Sequence, residues 1–215
     1  LNSSKYLSGV YAITDDDLLP DAILVASVEQ ALANGVSLVQ YRSKQKNLST
    51  RLKSASRLLE CCSRYDIPLI INDDVDLAST IGAQGAHLGT KDADIATARN
   101  KLGPAAIIGR TCHDSIELAM QAQNAGADYV AFGRFYPSKT KPGARGADLQ
   151  VLEQAKTVIQ VPIVAIGGIN AENGAALIKA GADMLAVIYA LFGSGDIAKA
   201  SRNLTSLFNP TSERN

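Results

Sequence analysis

The stretch Ala125-Gly126-Ala127-Asp128-Tyr129-Val130-Ala131-Phe132-Gly133 ends a segment of helical period and opens a run with almost no polar residue. Gly126 suits the left-handed backbone that stops a helix. The run behind it is too apolar for a strand with one wet face. The same mark returns as Ala180-Gly181-Ala182-Asp183, and in looser form as Asn34-Gly35-Val36 and Ile81-Gly82-Ala83. Outward from these marks, strand-like runs fall at 10–14, 38–42, 69–72, 86–89, 107–111, 129–133, 163–167 and 185–188. Helical patterns fill the intervals: Leu24, Val28, Ala31 and Leu32 share one face, as do Leu52, Ala55 and Leu59, and Leu118, Ala122 and Ala125. Leu152, Ala155 and Ile159 continue the series, and Ile197, Ala200, Leu204 and Leu207 close it. Helix starts are predicted at Asp114 with Glu117 three residues on, at Asp148 and at Asn170. Strands buried on both faces imply a parallel sheet covered by helices. Eight β-then-α units in 215 residues therefore predict an α/β protein, a single (β/α)8 TIM barrel near the short end of its range. An open doubly wound sheet is the alternative.

With 47% apolar and 20% charged residues, the chain is long enough for a sizeable core and does not need disulfides. Lys+Arg and Asp+Glu balance at 21 each, so no global positive field gathers nucleic acid or an anionic membrane. An anionic ligand has to be held by a local cluster. The three cysteines are odd in number and two are adjacent, Cys61 and Cys62, which points to a reducing compartment and hence the cytoplasm. No apolar run approaches the ~20 residues of a membrane span. The N-terminus lacks the basic-then-apolar pattern of a signal peptide. A chain without an initiator Met suggests a trimmed start or a domain of a longer protein. One domain is expected over 1–208, with a frayed polar tail at 209–215.

In such a barrel, the C-terminal strand ends and the loops after them build the active site. The polar residues there are Thr14, Asp15, Gln40, Arg42, Lys44, Asn72, Asp73, His87, Asp92, Thr111, His113, Ser138, Thr140 and Lys141, with Gly167-Gly168. Three cations, Arg42, Lys44 and Lys141, would converge with two carboxylates, Asp73 and Asp92, on one rim of a neutral chain. That pairing suits a polyphosphate bound with a divalent metal, and oxygen ligands without a Cys/His set favour Mg2+ over zinc. Gln40, Arg42 and Lys44 alternate, so they point the same way if the strand runs that far. Gly167-Gly168 and the chain entering Tyr189 lie where barrels often bind phosphate. The polar segment 137–147 is too long for a plain connection and reads as a lid.

Other conspicuous residues have ordinary readings. Asn72-Asp73-Asp74, taken alone, reads as the N-cap of the next helix, and Asp15-Asp16-Asp17 as a capping and solvated run. Cys62 falls on an apolar helix face. Cys112 lacks partners for a nucleophilic triad, and His87 reads as a hydrogen-bonded barrel residue rather than a base.

An ordered set of motifs spans nearly the whole chain. It comprises Tyr11-Ala12-Ile13-Thr14-Asp15, Gln40-x-Arg42-x-Lys44, Ile71-Asn72-Asp73-x-x-Asp76-Leu77-Ala78, Gly85-Ala86-His87-Leu88-Gly89-x-x-Asp92, Gly126-Ala127-Asp128-Tyr129, Tyr136-Pro137-Ser138-x-Thr140-Lys141 and Ala165-Ile166-Gly167-Gly168-Ile169. In this set the chain closely resembles the thiamine phosphate synthase family. The resemblance implies joining of a hydroxymethylpyrimidine diphosphate to a thiazole phosphate with Mg2+, both small-molecule substrates, giving thiamine phosphate and pyrophosphate. It implies that Arg42, Lys44, Asn72 and Lys141 hold the diphosphate, with Gln40, Tyr41 and Ser43 beside them and Thr111 supplying a hydroxyl. Asp73 and Asp92 would ligate the metal. Ser138, Lys139, Thr140, Gly168, Ile188 and Tyr189 would hold the thiazole phosphate. Three positions depart from the family's usual pattern: Thr90 stands where Gln is frequent, Arg134 where Pro is frequent, and Tyr189 where a small residue is common.

The bond to be broken joins a benzylic-type CH2 to a diphosphate, so the resemblance implies a dissociative substitution with Arg42, Lys44 and Lys141 as the catalytic cations. No nucleophile or strong base is needed. The related thiazole tautomerases share the fold, but an isomerisation has no use for a metal–diphosphate rim. A silent phosphate-binding barrel is the remaining alternative. Barrels of this size often dimerise, so a homo-oligomer is possible.

Overall fold

The computed structural model describes residues 6–45, 47–137 and 147–209. Its eight strands are β1 (Gly9–Ile13), β2 (Val36–Tyr41), β3 (Leu69–Asn72), β4 (Gly85–Leu88), β5 (Ile107–His113), β6 (Tyr129–Gly133), β7 (Ile163–Ile166) and β8 (Met184–Val187). They pair in chain order, all parallel, and β8 returns to β1 to close the barrel. Helices α1 (Asp21–Leu32), α2 (Leu48–Arg64), α3 (Val75–Ile81), α4 (Ile95–Leu102), α5 (Ile116–Asn124), α6 (Gln150–Val158) and α7 (Gly174–Lys179) follow the first seven strands. After β8 come the short α8 (Tyr189–Phe192), then α9 (Ile197–Thr205) and a 3-10 turn at Ser206–Phe208. The fold is the expected TIM barrel. Beyond Asn209, the expected tail lies outside the described residues.

Alternate strand residues divide two cores. Tyr11, Leu38, Ile70, Ile107, Tyr129, Val164 and Met184 fill the barrel, while their neighbours in sequence pack against the helices. The repeated glycine marks all adopt positive φ: +95° at Gly35, +71° at Gly82, +91° at Gly126 and +116° at Gly181. The residue just before an even strand then reaches back to the start of the odd strand preceding it. Gln84 Oε1 accepts from Leu69 N at 2.9 Å, Asp128 Oδ2 from Ile108 N at 2.7 Å, and Asp183 Oδ2 from Ile163 N at 2.8 Å. Arg99 also donates to Asp128, and Lys156 to Asp183.

The structure corrects several local expectations. Strands β1, β2, β4, β7 and β8 stop one residue sooner than their apolar runs suggest, although Thr14 N still donates to Gln40 O just past β1, whereas β5 continues to His113 across a bulge. Ser115, not Asp114, caps α5 by accepting from Leu118 N. A shift of one residue turns the helix by about 100°. Accordingly Ala119 and Ala122 are buried, Leu118 is exposed, and Ala125 is an exposed C-cap. Asp148 and Asn170 bind backbone N–H groups in the turns ahead of α6 and α7, and neither is the N-cap.

Gly85 opens β4 where a Cβ would lie 1.9 Å from Ile107 O, a backbone atom of β5. Gly85→Ala should lower stability by about 1–3 kcal/mol through overpacking, read as a fall in the urea midpoint; an unchanged midpoint would refute the tight packing.

Candidate active site

At the β1–β2 sector of the rim, Thr14 is buried and clamps the backbone of Arg42: its Oγ1 accepts from Arg42 N at 2.9 Å and donates to Arg42 O at 3.2 Å. Asp15 is buried and pairs with Arg42 at 3.4 Å. Asp16 accepts from Ser43 Oγ at 3.1 Å and from Lys44 N at 2.6 Å. Asp15 and Asp16 thus anchor the β2–α2 loop, while Asp15 also accepts from Asp17 N and Asp17 is exposed, as a capping and solvated run would have it. Because β2 ends at Tyr41, its alternation does not reach Lys44. Gln40 is buried within the barrel, Arg42 is half-buried, and Lys44 is exposed. Tyr41, one residue out of phase, is buried in the layer between sheet and helices and is not brought to the mouth. Arg42, Lys44 and the three aspartates line one cleft of about 490 Å3, together with Gln45 and Asn47.

The β3–β4 sector separates two roles that sequence could not. Asp74 is the N-cap of α3, accepting from Leu77 N at 2.8 Å, and it pairs with Arg51 at 3.0 Å. Asp73 is the acid of the pair that caps no helix. Its N–H donates to His87 O at 2.8 Å, prolonging the β3–β4 ladder, and its backbone then turns left-handed at φ +62°. Asp tolerates that conformation better than most residues. Asn72 Nδ2 donates to Asp73 Oδ2 at 2.7 Å. Asp92 accepts from Gly89 N at 2.6 Å and meets Asp73 in a side-chain hydrogen bond. The Asp73 carboxyl is pushed up to about 6, first by partial withdrawal from water and then by the hydrogen bond and like charge of Asp92; Asn72 and Arg42 oppose the shift.

Below these rims, five polar side chains cross the barrel in one line. Gln40 Nε2 donates to Tyr11 Oη at 2.7 Å, Tyr11 and Tyr129 join hydroxyls at 2.8 Å, Tyr129 Oη meets His87 Nδ1 at 2.9 Å, and His87 Nε2 meets Thr111 Oγ1 at 2.8 Å. The Tyr129 ring stacks on His87, with centroids 5.5 Å apart, and meets Tyr11 edge-on at 5.8 Å. It occupies the space over Gly109, where a Cβ would lie 2.0 Å from the ring. Burial holds His87 down to about 4, so it is neutral near pH 7. His87 is thus the bonded barrel residue its position suggested. The roles of Tyr11 and Tyr129 were missed; their one signal is a polar-tipped ring at an inward strand position.

Across the mouth, Gly167 and Gly168 make a turn at φ +106° and +65°. A Cβ on Gly168 would lie 2.4 Å from Pro137 O, and one on Gly167 would lie 2.1 Å from Arg134 Cβ, so the turn nests against the chain leaving β6. Asn173 Nδ2 binds Gly168 O at 3.0 Å. Ile188 and Tyr189 stand at the start of α8; the exposed Tyr189 ring lies along Gly193. Ser138, Lys139, Thr140 and Lys141, with the rest of the expected lid between Pro137 and Ala147, lie outside the described residues. Cys112 is buried and its thiol is pushed up to about 12, chiefly by burial, which leaves it inert. Cys61 and Cys62 are also free and buried.

Among the described residues no three His, Cys, Asp or Glu side chains gather to hold a metal ion. Asp73 and Asp92 nevertheless fit a hard divalent cation: two carboxyls in contact supply only oxygen donors, and a cation between them relieves their repulsion. Such a pair leaves most of the cation's coordination to ligand oxygens and water.

Over residues 10–191 the chain matches the family model described as thiamine monophosphate synthase, and it belongs to that family. As a member it is a transferase. A thiamine-phosphate synthase of Thiobacillus denitrificans is 53% identical over 201 residues, covering 93% of this chain and 94% of that protein. One from Methylococcus capsulatus is 48% identical, covering 100% and 97%. The solved thiamine phosphate pyrophosphorylase of Pyrococcus furiosus superposes with a TM-score of 0.86 at 33% identity, covering 96% of this chain and 98% of that one. A 3-hexulose-6-phosphate synthase, TM-score 0.73 at 18% identity, shares the fold. Among the described residues, no helix is long and apolar enough to cross a membrane.

The raised Asp73 carboxyl fixes a sign. A carboxyl whose pKa is higher in the folded state favours folding below its ordinary value near 4, and that contribution is lost as pH rises through about 6. Asp92→Asn keeps an acceptor for Gly89 N and removes the like charge. In metal-free protein it should raise stability at pH 7 by roughly 0.5 kcal/mol, allowing for solvent screening at an exposed rim, with no gain at pH 4. Urea denaturation at the two pH values checks this; a gain of equal size at pH 4 would exclude the charge origin.

Proposed function

We propose that this chain condenses 4-amino-2-methyl-5-hydroxymethylpyrimidine diphosphate with thiazole phosphate, giving thiamine phosphate and pyrophosphate. The observation that carries the reading is the Asp73–Asp92 carboxyl pair within the electrostatic reach of Arg42 at the C-terminal mouth of the barrel. A pair of acids beside a cation suits a metal diphosphate better than a bare anion. Membership of the family and the names of the relatives support thiamine phosphate as the product, and the two substrates are those the family resemblance implies.

In the proposed reaction the bond between the pyrimidine CH2 and the diphosphate oxygen breaks first, its electron pair leaving with the diphosphate. The aminopyrimidine ring delocalises the cation left behind. The thiazole nitrogen lone pair then forms the new carbon–nitrogen bond, and no proton has to move at that nitrogen. Arg42 and Lys44 set positive charge against the departing diphosphate, and Lys141 joins them by resemblance to the family. Asp73 and Asp92 would hold Mg2+, which would supply further positive charge against the departing diphosphate. Asn72 orients Asp73, and Asp15 and Asp16 hold Arg42 and the Lys44 backbone in register at the mouth. Thr111 offers a hydroxyl to the diphosphate. Gly168, Ile188 and Tyr189, with Ser138, Lys139 and Thr140, are the proposed cradle of the thiazole phosphate. The buried, unpaired cysteines suit a reducing cytoplasm, the compartment we assign.

The purified chain is incubated with both substrates and Mg2+, with an EDTA control, and thiamine phosphate is read as fluorescent thiochrome. Product should appear and should vanish with EDTA. Asp73→Ala and Asp92→Ala should each lose at least about a hundredfold in turnover while keeping the wild-type circular dichroism spectrum. Full activity in both variants, or in EDTA, would overturn the metal–diphosphate reading.

A further inference from the structure

Counting protons along the buried line from Gln40 to Thr111 gives it a direction. Gln40 Nε2 donates to Tyr11 Oη, so the single Tyr11 hydrogen goes on to Tyr129 Oη, the one other partner in the line. The Tyr129 hydrogen then goes to His87 Nδ1. A neutral imidazole that accepts at Nδ1 carries its hydrogen on Nε2, and that hydrogen goes to Thr111 Oγ1. Each hydroxyl and imidazole hydrogen of the tyrosines and His87 is spent on the next member. Gln40 keeps its second amide hydrogen at the buried end, and Thr111 keeps its hydroxyl hydrogen at the more exposed end of the line.

Reversing the Gln40 amide would reverse every bond. Its oxygen would accept from Tyr11, His87 would carry its hydrogen on Nδ1, and Thr111 would spend its hydrogen on Nε2, leaving only lone pairs for a ligand. A mixed state leaves a hydroxyl hydrogen buried without an acceptor, which is costly. The burial that keeps His87 neutral also keeps both tyrosines protonated. The line therefore has two states and couples β2 to β5 through β1, β6 and β4.

We infer that Tyr11, Tyr129 and His87 form a polarity relay that holds Thr111 as a hydrogen-bond donor to an anionic ligand, with Tyr129 and His87 as positioning residues. In this sense the inference rests on the proposed diphosphate chemistry: an anionic acceptor at Thr111 selects this direction. Neither Tyr129 nor His87 needs to touch substrate. Gly109 belongs to the device, because it leaves room for the ring whose hydroxyl is the midpoint.

Two measurements on the full chain test the relay. The first is 15N NMR of histidine-labelled protein near pH 7 with Mg2+ and inorganic pyrophosphate; only two histidines, His87 and His113, contribute signals. His87 should be the Nε2–H tautomer, and an Nδ1–H tautomer or an imidazolium would overturn the proposal. The second is a double-mutant cycle on kcat/KM for the pyrimidine diphosphate. Tyr129→Phe keeps the ring and should cost about tenfold while Thr111 is present, but less than about twofold in a Thr111→Val background. Equal losses in both backgrounds would mean a merely structural role and would overturn the relay. If Tyr129→Phe does not fold, Tyr11→Phe cuts the line one member earlier and enters the same cycle. If the wild type makes no thiamine phosphate, the substrate reading fails, and the tautomer still decides the relay.

Discussion

The structure depends on one constraint: eight parallel strands can satisfy their hydrogen bonds without an edge only by closing, β8 onto β1. Parallel closure brings every C-terminal strand end to the same mouth, so residues distant in sequence meet there without any local motif. Asp15, Arg42, Asp73 and Asp92 come from the loops after four successive strands. Closure also makes the interior continuous, so a polar line such as Gln40 to Thr111 can cross from one side to the other. An open sheet would place those residues in a row rather than facing one another.

At the mouth, charges are placed so that local repulsion is left in the free protein. The Asp73–Asp92 contact works against the folded state near neutral pH, while Asp15 and Asp16 are satisfied by Arg42, Ser43 and the Lys44 backbone. The contrast separates acids that build the site from acids that await a partner. Beneath them the floor is buried and neutral, and its hydrogen bonds are used up internally. Positive and negative groups thus stay on the wet rim, and orientation is set in the dry interior, where a hydrogen bond is stronger and a misplaced one is more costly.

Much of this was legible from residues alone. Apolar runs of strand length and glycines at fixed places specify eight units and their order, because burial on both faces removes polar residues from the strands. Register at helix starts was less legible: Asp114 and Ser115 are equally good caps by composition, and the backbone alone decides for Ser115. The rim acids show the same limit. Asp73 and Asp74 are identical in chemistry, and only the left-handed turn at Asp73 sends one toward Asp92 while the other caps α3. Lys44 failed the alternation argument because β2 stops three residues before it. Tyr11 and Tyr129 are core aromatics, and their hydroxyl partners depend on a cross-barrel distance that no spacing along the chain encodes.

At the opposite end of the barrel the strand starts are tied in one direction. Gln84, Asp128 and Asp183 each hold the start of the strand before their own, joining β3 with β4, β5 with β6 and β7 with β8. These ties fasten the strands two by two, while Arg99 of α4 reaches Gly126 O and Asp128, and Gln123 of α5 accepts from Gln160 N and Val161 N, so each pair is also clasped to the next. New chain ends made by circular permutation ahead of β5 or β7 would fall in segments that Arg99 and Gln123 still hold by side-chain bonds. A barrel clasped in this way can be reopened at a joint without losing the side chains that bring its two edges back together.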